Sequence, residues 1–246
     1  MSVVYNEDCL DTMKRMPDNF IDLTVTSPPY DDLRIYNGYS FDFQSVALDL
    51  FRVTKQGGVV VWIVGDSTIK GSESGTSFRQ ALGFKDAGFN LHDTMIWRKT
   101  NPMPKFKHKR YFDVFEYMFI LSKGQPKTFN PLLQANKRAG ELYDYTAKLK
   151  TTGKVRTKKT FNINDERYKD NIWECAVAKN ETNHPAVFPE FLVVDHITTW
   201  SNEGDIVYDP FIGSGTTALA ARSVNRIYIG SEISPEYCQI AEQRLS

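Results

Sequence analysis

Cysteine is scarce: Cys9, Cys175 and Cys238 are the three in 246 residues. They are far apart and odd in number, which excludes a zinc-finger spacing and a disulfide framework and suits a reducing compartment. No metal site is expected. No uninterrupted apolar run approaches a membrane span, and the opening residues lack the basic, apolar, small-residue order of a secretory signal. A cytoplasmic location is therefore expected. Net charge is missing too: 30 Lys/Arg balance 30 Asp/Glu, so the total says nothing about a polyanionic partner. No internal repeat or low-complexity tract is present.

What is present is ordinary in amount and uneven in distribution. Apolar residues make up 41% and charged residues 24%, and the length suits one α/β domain with an insertion. From Arg98 to Lys169 there are 18 Lys/Arg against 6 Asp/Glu, so the remainder is correspondingly acidic. A short basic run reads as solvated surface, whereas an excess across a whole segment favours a surface that tracks phosphates.

Along the chain, Cys9, Leu10, Met13 and Met16 mark a short amphipathic helix ended near Pro17-Asp18, followed by a strand through Val25. Residues 31 to 39 are an irregular polar and aromatic loop. Phe43, Val46, Ala47, Leu50 and Phe51 recur at helical spacing, and Gly57-Gly58 is expected to close that helix. Val59 to Val64 is an apolar run typical of a strand buried on both faces. A flexible loop from Gly71 to Gly75, a helix over 76–88, and strands from Leu91 to Trp97 and from Val114 to Leu121 follow. From Lys123 to about Glu174 no period survives. Tyr143, Tyr145, Phe161, Tyr168 and Trp173 argue against a disordered linker there and for an insertion that orders on or around nucleic acid. A helix begins after His184-Pro185, through Phe188, Phe191, Leu192, Val194 and Ile197. The alternation predicts an α/β fold, a Rossmann-like, mostly parallel sheet with helices on both faces.

Two stretches carry chemistry. Thr26-Ser27-Pro28-Pro29-Tyr30 ends the first long strand abruptly. Neither proline donates a backbone hydrogen bond, so a hydroxyl, stiff carbonyls and an aromatic ring gather at one strand end. Such a corner suits a planar base held by its exocyclic amine; it also reads as an ordinary strand-ending turn. The second stretch is Asp209-Pro210-Phe211-Ile212-Gly213-Ser214-Gly215-Thr216-Thr217, between a strand from Asp205 and a helix through Leu219. Its glycines let backbone approach a ligand, and Glu232, beyond the next strand, is positioned to accept from a ribose diol. The same pattern fits a nicotinamide or flavin site; a P-loop is excluded because no Gly-Lys-Ser/Thr follows. Only about 36 residues follow Pro210, so earlier strands are expected to complete the sheet, with the nucleoside-binding half last.

In this order the two motifs resemble the beta class of S-adenosylmethionine-dependent DNA amino-methyltransferases, across nearly the whole chain. Trp97-Arg98-Lys99 with Pro102 and Pro104, and His184-Pro185, also fall in that family's sequence. The resemblance implies that residues 1–122 and 180–246 form the catalytic and cofactor-binding body and that 123–179 is an inserted basic target-recognition region. It implies that Asp209, Phe211, Gly213 and Gly215 hold the methionine end of S-adenosylmethionine, within a loop that includes Pro210 and Thr216. Glu232 takes the ribose, and Asp8 with Cys9 lies against the adenine; Asp8 reads equally as a helix N-cap. His184 and Phe188 correspond to the helix beside the methionine moiety. Phe188 stands where many relatives are polar, which favours core packing.

Under this resemblance the catalytic residues are Ser27, Pro28, Pro29 and Tyr30, and double-stranded DNA with a flipped base is the partner. The Ser27 hydroxyl and Pro28 carbonyl accept from the amine and free its lone pair, and Tyr30 stacks on the base. The three cysteines follow Asp8, Glu174 and Tyr237, so the Pro-Cys nucleophile of carbon-5 methylation is missing. The Thr-Ser-Pro-Pro-Tyr form is typical of cytosine-N4 enzymes, and adenine N6 is the alternative. Arg34 touches the target strand or pairs with Asp31 or Asp32. Lys105, Lys107, Lys109 and Arg110 form an early DNA-binding cluster, and Lys154, Arg156, Lys158 and Lys159 a later one. The family implies a restriction-modification role in a prokaryotic or phage host, and its members often form homodimers. RNA or protein amine methylation, a nicotinamide oxidoreductase and a non-enzymatic DNA-binding module are the rival classes.

Overall fold

The computed structural model describes residues 2–29, 42–102, 109–148, 155–177 and 189–246. Two compact units divide the chain: Met1–Asn130 with Asn171–Ser246, and Pro131–Asp170. In chain order the large unit opens with β1 (Val3–Tyr5), α1 (Cys9–Arg15), β2 (Ile21–Thr26), α2 (Phe43–Val53) and β3 (Thr54–Val64). A small hairpin, β4 (Thr68–Ile69) with β5 (Ser72–Glu73), occupies the loop expected to be flexible and leads to α3 (Thr76–Asp86). β6 (Asn90–Lys99) and β7 (Phe115–Ser122) follow. The small unit holds β8 (Leu133–Ala135), β9 (Leu142–Lys148), β10 (Val155–Asn162) and β11 (Glu166–Tyr168). The large unit resumes with β12 (Ile172–Cys175), α4 (Glu190–Trp200), β13 (Ile206–Asp209), α5 (Thr216–Ser223), β14 (Ile227–Ser231) and α6 (Pro235–Leu245).

Eight strands form one sheet in the order β1-β14-β13-β2-β3-β7-β6-β12. Neighbours are parallel except at β7, which runs antiparallel to both β3 and β6. The expected mostly parallel α/β sheet is therefore found, with one reversed strand. Helices α1, α2 and α3 neighbour one another, and α4, α5 and α6 form a second group. Under the first group lies a cluster including Met13, Leu50, Trp62, Phe84, Leu121 and Tyr208. Its buried aromatics meet edge to face, Trp62 and Phe84 at 4.8 Å, and the Trp62 indole donates to Gln80 at 2.8 Å. Each fully buried side chain of this size contributes about 1.5–3 kcal/mol.

Two expectations are corrected. Gly57-Gly58 does not close α2: that helix ends at Val53, and both glycines lie inside β3. Gly57 has φ 80 and donates to Lys123 O at 2.7 Å, while a Cβ on Gly58 would stand 2.9 Å from Asp22 O. These glycines serve a bulge where β3 shifts register against β2. Among the described residues, five strands begin within 123–174, in which no period was legible. β9 pairs with β10 and β8 with β11, both antiparallel, while β12 joins the main sheet beside β6. The alternation is hidden because strands of the small unit expose apolar side chains such as Leu142, Tyr143 and Phe161.

The connections locate the site. From β13 the chain passes through α5 to β14 on one side, whereas β2 passes through α2 to β3 on the other. Strand order reverses between β13 and β2, and ligands in open α/β sheets bind at the carboxyl ends of the strands at such a point.

Candidate active site

Both motifs leave the sheet at this reversal. β13 pairs with β2 through Val207 with Leu23 and Tyr208 with Thr24, so Asp209 and Thr26 end adjacent strands. Thr26 Oγ1 donates to Asp209 Oδ1 at 2.6 Å, and Thr217 Oγ1 donates to Asp209 Oδ2 at 2.6 Å. The Phe211 N–H adds a third bond to Oδ1 at 3.0 Å. Asp209 is 2% exposed, and burial raises its carboxyl to about 6 against the lowering effect of these three donors. Asp209 thus binds the two motifs to each other, with both carboxylate oxygens engaged inside the protein.

The glycine loop is held from two further sides. The Glu232 carboxylate accepts the Gly213 N–H at 3.0 Å and the Ser234 N–H at 2.8 Å. Burial raises the Glu232 carboxyl while these N–H groups lower it. The Glu232 N–H donates to Tyr5 O at 3.0 Å, which brings the end of β1 to the same edge. Gly215, with φ 85, opens α5 in the left-handed region, and a Cβ there would stand 3.0 Å from Ala241 Cβ on α6. Arg244, on the last turn of α6, donates to Ser214 O at 2.7 Å and reaches Thr216 Oγ1 at 3.4 Å.

The remaining expected cofactor residues divide. Asp8 is the N-cap of α1 and accepts the Leu10 N–H at 2.8 Å. The Cys9 side chain packs in the core, with its thiol pushed up by burial. Pro210 and Thr216 are buried in the loop, and Phe211 meets Trp62 edge to face at 6.2 Å. At the proline corner Ser27 and Pro29 are half-buried and Pro28 is buried.

Tyr30, Arg34, Lys105, Lys107, Lys154, Pro104, His184, Pro185 and Phe188 lie outside the described residues. Arg156 and Lys158 are backbone positions of β10. Lys109 and Lys159 are exposed, while Arg110 pairs with Glu73 at 2.9 Å and donates to Gly71 O at 2.5 Å. Trp97, Arg98 and Lys99 act within the sheet: the indole donates to Cys175 O at 3.2 Å, Arg98 pairs with Glu174 at 2.7 Å, and Lys99 with Glu116 at 2.6 Å.

Sequence reasoning missed the Asp209 joint, the Arg244 clamp and Asp66. Asp66, just beyond β3, accepts the Ser77 N–H at 3.0 Å and so caps α3, whose own N-cap is a glycine. An acidic residue before a Ser-rich helix start was a usable signal; a lone Arg in a closing helix was not. Among the described residues no helix is long and apolar enough to cross a membrane, and no His/Cys/Asp/Glu group could hold a metal.

A mostly parallel sheet with a glycine loop and a proline corner tied together at its switch point is the frame of a nucleotide-binding α/β protein. Residues 21–243, from β2 into α6, match the model of the N6/N4 DNA methylase family. The chain belongs to that family and is a DNA methyltransferase. The orphan methyltransferase M.BamHII of Bacillus amyloliquefaciens is 56% identical over 235 residues, covering 92% of this chain and 88% of that protein. The type II methyltransferase M.BglII of Bacillus subtilis is 28% identical over 260 residues, covering 100% of this chain and 69% of that protein. Among solved structures, the PvuII cytosine-N4-specific DNA methyltransferase has a TM-score of 0.75 at 22% identity, covering 99% of this chain and 86% of the other. TTHA0409 of Thermus thermophilus, described as a candidate DNA modification methylase and complexed with S-adenosyl-L-methionine, has a TM-score of 0.68 at 22% identity, covering 99% and 94%.

Proposed function

We propose that this chain methylates the exocyclic N4 amine of a cytosine flipped out of duplex DNA at a specific sequence, using S-adenosylmethionine. One observation carries the reading: the hydrogen bond from Thr26 to Asp209 fixes the Ser27-Pro28-Pro29 corner against the glycine loop. The residues fit the cofactor. Glu232 is a carboxylate oriented by two backbone N–H groups beside a turn of bare glycine backbone, which suits a ribose diol. In this reading Gly213 and Gly215 flank the methionine end with Pro210, Phe211 and Thr216 around them, and Asp8 and Cys9 border the adenine. When bound, S-adenosylmethionine supplies an electrophilic sulfonium methyl group.

The chain's own part is to position and to polarise. The Ser27 hydroxyl and Pro28 carbonyl accept hydrogen bonds from the amine, which favours a pyramidal nitrogen with its lone pair out of the ring. Alignment of that nitrogen accounts for much of the acceleration. Tyr30 stacks on the extruded base. Ser27 is a short, neutral acceptor where a carboxylate or amide would suit adenine, and this supports cytosine; the fold shared with a cytosine-N4-specific enzyme agrees. Lys109 and further exposed cations of the basic segment contact phosphates, with the compact unit Pro131–Asp170 as the target-recognition module. The type II relative supports a place in restriction-modification.

The test is to incubate the protein with duplex DNA and methyl-labelled cofactor, digest to nucleosides and separate them. Label in N4-methyldeoxycytidine is expected. Label confined to N6-methyldeoxyadenosine overturns the base assignment, and label in RNA but not DNA overturns the substrate class. Sedimentation velocity on the same preparation checks the homodimer that the resemblance implies.

A further inference from the structure

The ribbon formed by β9 and β10 presents a face that a globular core would not leave open. Its register sets Tyr143 opposite Phe161 and Tyr145 opposite Lys159. Successive side chains on a strand point to opposite faces, so these four residues share one. Tyr143 is 47% exposed, Tyr145 50% and Phe161 50%, and Lys159 is exposed as well. The other face is also open: Leu142 is 70% exposed, and the Thr160 hydroxyl donates to Asp144 at 2.7 Å. A two-stranded ribbon in water is marginal without something to pack against. From Thr146 to Asn164 there are six Lys/Arg and no Asp/Glu, so the ribbon and its connecting segment suit a polyanion.

We propose that the β9–β10 ribbon enters the major groove of duplex DNA with the Tyr143, Tyr145, Phe161 and Lys159 face toward the base edges, and that these side chains set part of the recognition sequence. The proposal rests on the DNA reading above and assigns base readout to particular residues of the small unit. The major groove admits a two-stranded ribbon, and each base pair displays a distinct pattern there. A phenol hydroxyl both donates and accepts, so Tyr143 and Tyr145 can read guanine or thymine acceptors and adenine or cytosine amines. The Phe161 ring suits the thymine methyl group, and Lys159 suits guanine O6 and N7 or a phosphate. The Asp144 face points away from the bases, which keeps its carboxylate off the groove floor.

The experiment uses the full chain and bacterial genomic DNA free of prior modification. Wild type and two variants, Y143F/Y145F and Y143A/Y145A/F161A, modify the DNA, and single-molecule sequencing maps the methylated positions to a consensus. The phenylalanine pair keeps the rings and removes two hydroxyls. Its consensus should become degenerate at one or more positions, with discrimination against single-base changes falling roughly tenfold. In the alanine triple, affinity for a duplex carrying the wild-type site should fall about 30-fold or more. S-adenosylhomocysteine affinity should stay within about twofold of wild type in both, because these residues lie outside the cofactor loop. An unchanged consensus and duplex affinity in both variants overturns the ribbon assignment while leaving the methyltransferase reading intact. Loss of single-stranded DNA or RNA binding with duplex binding unchanged overturns it too. A wild-type protein that labels no DNA defeats the underlying reading instead. Should the alanine triple fail to fold by circular dichroism, the phenylalanine pair decides the matter.

Discussion

Thr26 Oγ1 lies 2.6 Å from Asp209 Oδ1, in a buried contact between residues 183 positions apart. The proline corner and the glycine loop are therefore parts of one edge. Thr217 closes the arrangement: besides its bond to Asp209 Oδ2, its hydroxyl lies 3.4 Å from Val25 O, a second acceptor on β2. The joint has the form of a buried carboxyl whose cost of desolvation is only partly offset by three donors.

Asp209→Ala should destabilise the protein by about 3 kcal/mol or more, because Thr26, Thr217 and the Phe211 N–H lose a buried acceptor together. Asp209→Asn should fold. Its amide oxygen still accepts from Thr26 and Phe211, and its NH2 donates to Thr217, whose hydroxyl turns to Val25 O. Urea titrations of wild type and the two variants check the order Asn above Ala.

The same group predicts a pH dependence. Burial raises the Asp209 carboxyl from 3.8 to about 6, so the folded state holds a proton that the unfolded chain has released. Its stabilising contribution is complete below about pH 3.8 and is lost as pH rises through about 6. Asparagine stays neutral, so the stability of Asp209→Asn relative to wild type should rise with pH across this window and level off above it. The expected change is on the order of 3 kcal/mol, read from paired urea midpoints.

Glu232→Gln should weaken cofactor binding. A carboxylate serves both Gly213 and Ser234, whereas an amide presents one oxygen and one NH2, so one backbone N–H loses its acceptor. About 1.5–3 kcal/mol is at stake, roughly a 10- to 100-fold rise in the Kd of S-adenosylhomocysteine by calorimetry.

Arg244→Ala should also raise that Kd, by about tenfold, through a loosened Ser214–Thr216 turn. Arg244 acts as a positioning residue, so KM for the cofactor should rise with kcat little changed at saturation. Arg244→Lys, with one donor head in place of a planar fork, should recover part of the loss.

Much of this site was legible in the sequence because its strands are buried on a sheet and its motifs are local. β2, β3 and β13 announced themselves as apolar runs, and the glycine loop lay where a strand gives way to a helix. What sequence cannot show is how side chains distant in the chain pair. Asp209 was legible as a residue of the glycine loop, but nothing near it predicts that Thr26 will engage its carboxylate. β9 and β10 escaped because alternation of apolar and polar residues arises only when one face is buried, and both faces here are open. Gly57-Gly58 read as a helix stop because glycine marks a bulge and a C-cap alike.

The central claim is that cofactor capture and base activation reside in separate residues of one joined site. It is tested most directly by comparing wild type with Ser27→Ala in S-adenosylhomocysteine binding and in the single-turnover rate of methyl transfer to duplex DNA. The account predicts an unchanged Kd with a rate reduced about 100-fold. Methyl transfer at the wild-type rate in Ser27→Ala would contradict it.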